Sequence, residues 1–249
     1  MLKIRVIPVL TIKDLRLVKS IQFDNHRNIG SYIAAVRVFN ARDVDEMIFL
    51  DLDASSSGIK SWLLREVTKE CFMPLTVGGG IKTLEDIRLV LRLGADKVSI
   101  NTAAIENPEF ISRAAAVFGS QCTVVSIDAK KVNGRYEVFK AREKIATGKE
   151  VVDWAKEVER RGAGEILLAS IDHDGLMDGY DVNLSKMVAA AVKIPVIVAG
   201  GAGKLADFVA VAQDGGASAV AAASIFQYTQ TTPLNIKQYL KENGIETRI

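Results

Sequence analysis

Two glycine-containing stretches, half a chain length apart, repeat one another. Residues 77–104 read VGGGIKTLEDIRLVLRLGADKVSINTAA, and residues 199–226 read AGGAGKLADFVAVAQDGGASAVAAASIF. They align without gaps at an offset of 122, and six of the 28 positions are identical. In each stretch, glycines end a short apolar strand, a helix-period segment follows, and a second apolar strand ends in small residues. A period of half the chain indicates two copies of a large unit, not a solenoid of short repeats.

The alternation of strand and helix extends outward from this repeat to both ends of the chain. Predicted strands begin near Ile4, Glu46, Pro74, Asp96, Cys122, Glu165, Pro195 and Ser218. Helix-period segments follow them over residues 31–42, 59–72, 83–93, 107–119, 151–162, 183–193, 204–215 and 232–243. This order predicts an α/β protein with a parallel sheet, and its size matches a closed (βα)8 TIM barrel.

An open, doubly wound sheet is the alternative architecture, but its dinucleotide fingerprint GxGxxG is absent after the first strand. TIKDLR stands there, at residues 11–16. We therefore predict one barrel domain over residues 1–249, with half-barrels at about residues 1–120 and 121–249. Two long connections, residues 11–30 and 129–150, fall at equivalent places in the halves, and the Asn-Gly pair in the second predicts a small hairpin.

The composition excludes several classes of protein. The chain is 49% hydrophobic, with a mean hydropathy of +0.16 and a formal net charge of +2. These values argue against disorder and give no overall charge for binding nucleic acid or a membrane surface. No apolar run approaches the roughly 18 residues of a membrane span. The N-terminus reads as a strand without a secretory signal, so we expect a cytoplasmic protein.

Cysteine and histidine usage gives no sign of a metal centre. Cys71 and Cys122 lie far apart without a CxxC context, and the only histidines are His26 and His173. Two buried free thiols fit a reducing compartment, and too few ligands remain for zinc. We predict no metal and no cofactor.

Small residues cluster where the third, fourth, seventh and eighth predicted strands end. They let a backbone approach an anion, and the helix that follows supplies free N–H groups. The repeat thus predicts two phosphate sites on opposite sides of the mouth, suiting a substrate with a phosphate at each end. The candidates are Gly80, Asn101 and Thr102 in the first half and Gly201, Gly203, Ala223 and Ser224 in the second. The alternative is tight turn packing without a ligand.

Asp128 ends the fifth strand and is the main candidate for a general acid or base. The equivalent residue of the first strand is Thr11, which forms hydrogen bonds but is no acid near neutral pH. A structural Asp that caps the loop is the alternative for Asp128. Asp51, Asp53, Asp172 and Asp174, near the second and sixth strand ends, are weaker candidates because SIDHDG also reads as an Asx turn.

Four charged residues are unusual for a barrel core because each lies near the start of a predicted strand. They are Arg5, Glu46, Lys97 and Glu165. Period-two alternation places Arg5 on the face of Thr11 and Lys97 on the face of Asn101, so both point inward at the floor. A ring of two positive and two negative charges is self-consistent because buried charges need partners. It is either a plug that stabilises the floor or a gate.

Over nearly its whole length the chain resembles the HisF family, the cyclase subunits of imidazole glycerol phosphate synthase. The resemblance is carried by VGGGI, GADKVSINTAA, NPEFI, FGSQ, SIDAK, RGAGEILLASIDHDG, GYD and GGAGK. It implies a barrel of two half-barrels that binds a substrate with two phosphates at its top. It also implies a separate glutaminase docked at the bottom, with ammonia entering through a charged gate. The gate positions match Arg5, Glu46, Lys97 and Glu165, so the resemblance favours the gate.

The chain departs from that family at the centre of the active site. The family's two catalytic aspartates fall on Thr11 and Asp128, and Ala169 and Leu176 stand where threonines are usual. Since losing a general acid or base costs about 10²–10⁴ in rate, ordinary cyclase activity is in question.

Three functions follow. The first is a HisF-type synthase subunit that uses ammonia on a phosphorylated substrate. The second is a HisF-like conduit that passes ammonia from a glutaminase to a sugar amidotransferase in surface-polysaccharide biosynthesis. The third, a HisA-type sugar-phosphate isomerase, shares the repeat and the phosphate sites, but the four charges count against it.

Overall fold

The computed structural model describes residues 3–42, 44–140 and 143–248. The predicted domain also includes residues 1, 2, 43, 141, 142 and 249, which lie outside the described residues. Eight parallel strands form the barrel: β1 (Arg5–Lys13), β4 (Met47–Asp51), β5 (Leu75–Gly78), β6 (Lys97–Ile100), β7 (Thr123–Val132), β10 (Glu165–Ser170), β11 (Val196–Ala199) and β12 (Ala219–Ala222). The other four strands are β2 (Arg16–Ile21), β3 (Asp24–Gly30), β8 (Arg135–Lys140) and β9 (Ile145–Glu150).

Two strand pairings close the barrel. β7 pairs with β10 from Val124↔Glu165 to Ala129↔Ser170, and β1 pairs with β12 from Arg5↔Ala219 onward. Both pairings are parallel, and the barrel strands between them pair in chain order. The predicted (βα)8 TIM barrel is therefore confirmed, and the open sheet is excluded.

Helices surround the barrel at the eight predicted places. They are α1 (Tyr32–Asn40), α3 (Ser61–Glu70), α4 (Leu84–Arg92), α6 (Glu109–Phe118), α7 (Val151–Arg160), α8 (Val182–Ala191), α9 (Leu205–Gln213) and α11 (Pro233–Glu242). Three shorter helices, α2 (Ala54–Ser57), α5 (Thr102–Glu106) and α10 (Ser224–Tyr228), begin at strand ends. Local sequence sets several boundaries: Thr83 and Thr232 begin α4 and α11 with capping boxes, which satisfy otherwise free N–H groups.

Strand alternation separates two apolar cores. Val6, Leu10 and Ile12 of β1 belong to the outer core between strands and helices. Ile7 of the same strand lies in the lumen core, with Val9 packed against it. The rest of the lumen core is Ile48, Val124, Leu167, Ile197, Ala219 and Ala221. The predicted alternation of β1 is confirmed, and Arg5 and Thr11 lie at its two ends on the lumen face.

Two antiparallel arms extend the barrel at its mouth. The first arm is β2 and β3, after β1, and the second arm is β8 and β9, after β7. The predicted hairpin turn at Asn133-Gly134 is confirmed, with φ values of 48° and 81°. The first arm was not predicted because its β1–β2 turn places Asp14 and Leu15, instead of glycine, at φ 49° and 57°. Sequence rules expect Asn-Gly or Asp-Gly at such a turn.

The arms meet the barrel through equivalent contacts in the two halves. The Asp14 N–H donates to Asp53 Oδ2 at 2.6 Å, and the Lys131 N–H donates to Asp172 Oδ2 at 2.7 Å. The bounds of β5 and β11 lie 121 residues apart, whereas those of β6 and β12 lie 122 apart. The second half therefore has one extra residue between α9 and β12. For this reason the ungapped alignment at an offset of 122 pairs the glycines after β5 and β11 one position out of register. The half-barrel division itself stays a prediction.

Gly164, just before β10, tests how tightly the floor is packed. A Cβ on this residue would lie 2.1 Å from the Ser120 carbonyl oxygen, so Gly164→Ala must displace backbone. We expect a loss of about 1–3 kcal/mol in unfolding free energy, measured by urea denaturation. Gly148→Ala is the control. A Cβ at this position would meet nothing within 4 Å, so the substitution strains only the backbone, which has φ 71°. Equal losses in the two variants would contradict the packing argument.

Candidate active site

Asp128 lies half-buried on β7 at the mouth of the barrel. The Asn101 side-chain amide donates to its Oδ2 at 2.8 Å, and the Ser126 hydroxyl donates to its Oδ1 at 3.3 Å. Burial raises the pKa of Asp128 to about 7, against the two hydrogen bonds, which lower it; the charge of Asp174 also raises it. A carboxyl group with a pKa near neutral can both donate and accept a proton, as a general acid or base must.

Lys19 is a candidate that the sequence analysis missed. It lies buried on β2, where burial lowers the pKa of its amine and the nearby charge of Asp174 raises it. The Ser20 hydroxyl donates to Asp174 Oδ2 at 2.7 Å, and the Gln22 N–H donates to the Asp174 carbonyl at 2.8 Å. These bonds fix the first arm against the loop after β10, so Lys19 lies near the acids of the mouth. A buried cation there suits an anionic ligand.

The sequence carried one signal for Lys19. LVKSI at residues 17–21 is a short apolar run interrupted by a lysine, as expected for a strand that presents one charge. The segment falls in the long connection predicted over residues 11–30, where a single lysine carries no ligand signal of its own.

The predicted phosphate residues lie at equivalent places around the mouth. Asn101 and Ala223 precede the first residues of α5 and α10, Thr102 and Ser224. The Asn101 side chain is already bonded to Asp128, so the structure joins a predicted phosphate residue to the predicted acid. The two short helices leave backbone N–H groups at the mouth.

Tight packing alone requires three of the predicted glycines. A Cβ at Gly80 would lie 2.3 Å from the Ala54 carbonyl, and one at Gly201 would lie 1.9 Å from the Gly179 carbonyl. At Gly203 it would lie 2.0 Å from the Met177 carbonyl. The packing alternative therefore accounts for these residues, and their phosphate role stays a prediction.

The four charged residues of the opposite end form a closed ring, the floor ring. Arg5 Nη1 lies 2.6 Å from Glu46 Oε2, and Arg5 Nη2 lies 2.8 Å from Glu165 Oε1. Lys97 Nζ lies 3.0 Å from Glu46 Oε1 and 2.9 Å from Glu165 Oε2. Each acid thus contacts both bases. The buried Thr76 hydroxyl also donates to Glu46 Oε1 at 2.9 Å.

Burial would lower the pKa of Arg5, but the charges of Glu165 and Glu46 outweigh it and raise that pKa. The ring is formally neutral, which makes its partial burial tolerable. Removing one member would leave a buried charge without its partner, at a cost of about 3–5 kcal/mol.

The family model described as Histidine biosynthesis protein matches residues 5–232. The chain belongs to this family. The match covers all eight barrel strands, so the fold and the family agree. The family contains enzymes, and HisF proteins are among its members.

In this family member, most of the weaker acidic candidates have structural roles. Asp51 pairs with Lys60 at 3.1 Å, and Asp53 and Asp172 accept the arm N–H groups described above. Only Asp174 lies close enough to raise the pKa of Asp128. The His173 imidazole lies at the rim, with Nδ1 3.0 Å from Asp178 Oδ1.

One of the residues that differ from the HisF pattern lies beside Asp128. Ala169 of β10 is in register with Asp128 of β7, so a methyl group stands beside the acid. Thr11 lies on the lumen face of β1, at the mouth. Leu176 is 43% exposed on the loop after β10. The neighbour of the acid on β10 is therefore a methyl group where the HisF pattern has a hydroxyl.

Other chemistry has little support in this family member. Burial raises the pKa of the Cys71 thiol to about 11, which makes the thiolate scarce at neutral pH. Within residues 3–42, 44–140 and 143–248, no cluster of three or more His, Cys, Asp and Glu side chains could hold a metal ion. Within the same residues, no helix is long and apolar enough to cross a membrane.

Asn101→Ala tests the geometry at Asp128. The hydrogen bond from the Asn101 side chain favours the ionised form of Asp128. Losing this bond should therefore raise the pKa of Asp128 above about 7. Carboxyl ¹³C NMR across neutral pH measures this pKa, and Asn183→Ala, at an exposed asparagine, is the control. An Asp128 resonance that titrates near its ordinary value of 3.8 would contradict the buried acid.

The raised pKa also predicts how stability changes with pH. The folded chain keeps the Asp128 proton between pH 3.8 and about 7, where the unfolded chain loses it. Rising pH therefore lowers the free energy of unfolding through this group, and the lowering is complete above the folded pKa. Asp128→Asn should flatten that part of the stability profile, measured by urea denaturation at several pH values. An unchanged slope would show that other groups set it.

Proposed function

We propose that the chain is the HisF-type synthase subunit of a two-component glutamine amidotransferase. A glutaminase partner at the floor supplies ammonia, which travels through the lumen to a phosphorylated substrate at the mouth. The observation that carries this proposal is the floor ring, closed on one end of an apolar lumen whose other end holds Asp128. Such a lumen admits a small neutral molecule and excludes a bare cation, because burying an unpaired charge is costly.

The lumen composition fits this path. Its core combines branched side chains with small ones, Ala219 and Ala221, and Ala199 packs against it. Alanines leave room beside the larger side chains and offer ammonia no strong hydrogen-bond partner that would hold it. The floor ring supplies polar groups at the entrance. A displaced Lys97 or Arg5 side chain would open that entrance, since each occupies the end of a strand.

The mouth supplies proton transfer and anion binding. Asp128 moves protons as acid or base, oriented by Asn101. Lys19 attracts a phosphate group, and backbone N–H groups at Thr102 and Ser224 bind the two ends of the substrate. Thr11 supports the substrate as a hydrogen-bonding residue. The activity that we propose is that of imidazole glycerol phosphate synthase, a lyase of histidine biosynthesis.

A second candidate function is favoured by the altered centre of the mouth. Thr11, Ala169 and Leu176 leave Asp128 as the one acid of the predicted pair. In this alternative the barrel conducts ammonia to a sugar amidotransferase of surface-polysaccharide biosynthesis. A HisA-type isomerase has no need of a charged ring below an apolar lumen. Both favoured functions place the protein in the cytoplasm, without nucleic acid or membrane as partner.

A charge-balanced variant tests the gate. Lys97→Met/Glu165→Gln keeps the ring neutral, so folding is retained while the closed contacts are lost. We expect glutamine-dependent product formation in the complex with glutaminase to fall by about tenfold, with ammonium-dependent formation little changed. Lys241→Met, at an exposed lysine, is the control. If the double variant forms as much product per glutamine hydrolysed as the wild type, the ring is a stabilising plug and not a gate.

Thr11→Asp separates the synthase from the conduit. If the missing carboxylate is the main defect, ammonium-dependent turnover of the ribulosyl aminoimidazole nucleotide should rise, by up to about 10²–10⁴. Thr11→Asn is the matched control, because it has similar shape without acid chemistry. Absence of a gain, with a folded protein, would favour the conduit. Wild-type turnover at the rate of HisF enzymes would exclude a conduit-only role.

A further inference from the structure

We propose that Phe72 is the apolar anchor by which the chain binds its glutaminase. Phe72 and Pro74, which are both exposed, form a surface that we call the floor patch. The proposal rests on the proposed function, because it names the contact through which the same partner is held. It adds a chemistry for the partner's face, which must offer an apolar pocket sized for a phenyl ring.

Phe72 is the most exposed large hydrophobic side chain in the described part of the chain, at 80%. Trp62 and Ile145 follow at 54% each. An aromatic ring held in water forgoes the favourable burial that such a side chain gains in an interface. Fully exposed aromatic residues beside other apolar groups are typical of binding surfaces, where aromatic residues are enriched.

The backbone holds Phe72 in this position. Its N–H donates to Asn40 Oδ1 at 3.1 Å, which fixes the segment between α3 and β5 against the end of α1. Below the ring, Cys71 Sγ lies 3.0 Å from Met73 Sδ, so the flanking side chains pack inward while Phe72 points away from the core.

The floor patch is joined to the floor ring by two contacts. The Met47 N–H donates to the Pro74 carbonyl at 2.9 Å, beside Glu46. Thr76, two residues after Pro74, donates its hydroxyl to Glu46. A stable interface covers about 800 Å² on each partner, much more than the ring alone. The floor patch lies at the same end of the barrel as the ring, so we expect a protein that covers the ring to reach it as well.

Direct binding tests the anchor. The full chain is titrated with a purified HisH-type glutaminase from the same organism, and the Kd is measured by calorimetry. Phe72→Ala should raise the Kd by at least about tenfold, as expected of a central aromatic anchor. Phe72→Leu should recover part of the affinity. Ile145→Ala is the matched control, because Ile145 is also exposed but lies on the second arm at the mouth.

Three results would overturn the proposal, and they differ in what they say of the function. A complex whose Kd is unchanged by Phe72→Ala would exclude the anchor while leaving the ammonia-receiving role intact. Wild-type chain that neither binds the glutaminase nor stimulates it would contradict the proposed function as well. Light scattering that shows a wild-type dimer and a Phe72→Ala monomer would assign the patch to a second copy of this chain.

Discussion

Closure of the strands into a cylinder is the constraint on which the other features depend. Once β7 pairs with β10 and β1 with β12, every second residue of eight strands must share one narrow lumen. Apolar side chains fill its middle. The charged residues at the strand starts are mostly shielded from solvent and pair with one another, so each of the two acids contacts both bases. In an open sheet the same residues would line an edge without forming a ring.

Closure also gives the molecule two chemically different ends. The floor is neutral by mutual pairing and presents an exposed aromatic residue beside the ring. The mouth keeps charges that are not fully paired: a carboxyl group whose burial favours its neutral form, and a buried amine on the first arm. A ligand is expected where charges lack partners, and a protein surface is expected where apolar side chains lack cover. The two ends therefore differ in the kind of molecule they suit.

The two arms lie at the mouth, at equivalent places in the two halves of the chain. Each continues a barrel strand, and in each a backbone N–H donates to an aspartate, Asp53 or Asp172, at equivalent positions. The arms also contact each other through an ion pair of Lys144 with Asp24, at 2.8 Å. In this frame the departures from the HisF pattern are local. One of them, Ala169, places a methyl group beside Asp128, and the arms, the floor ring and the helices α5 and α10 are all present.

The sequence by itself determined the order of strands and helices, the barrel and the identity of the inward charges, and it proposed Asp128 as the candidate acid. Periodicity and turn residues are local, so they can be read without coordinates. Tertiary structure decided which groups meet. Asn101, at the end of β6, donates to Asp128 on the neighbouring strand β7. Lys19 lies at the mouth only because the first arm folds over to Asp174. The exposure of Phe72 depends on Asn40, more than thirty residues away, and no periodicity encodes it. Contacts of long sequence separation carry no local signal, which is why one sequence predicted the barrel and its candidate residues but not the contacts between them.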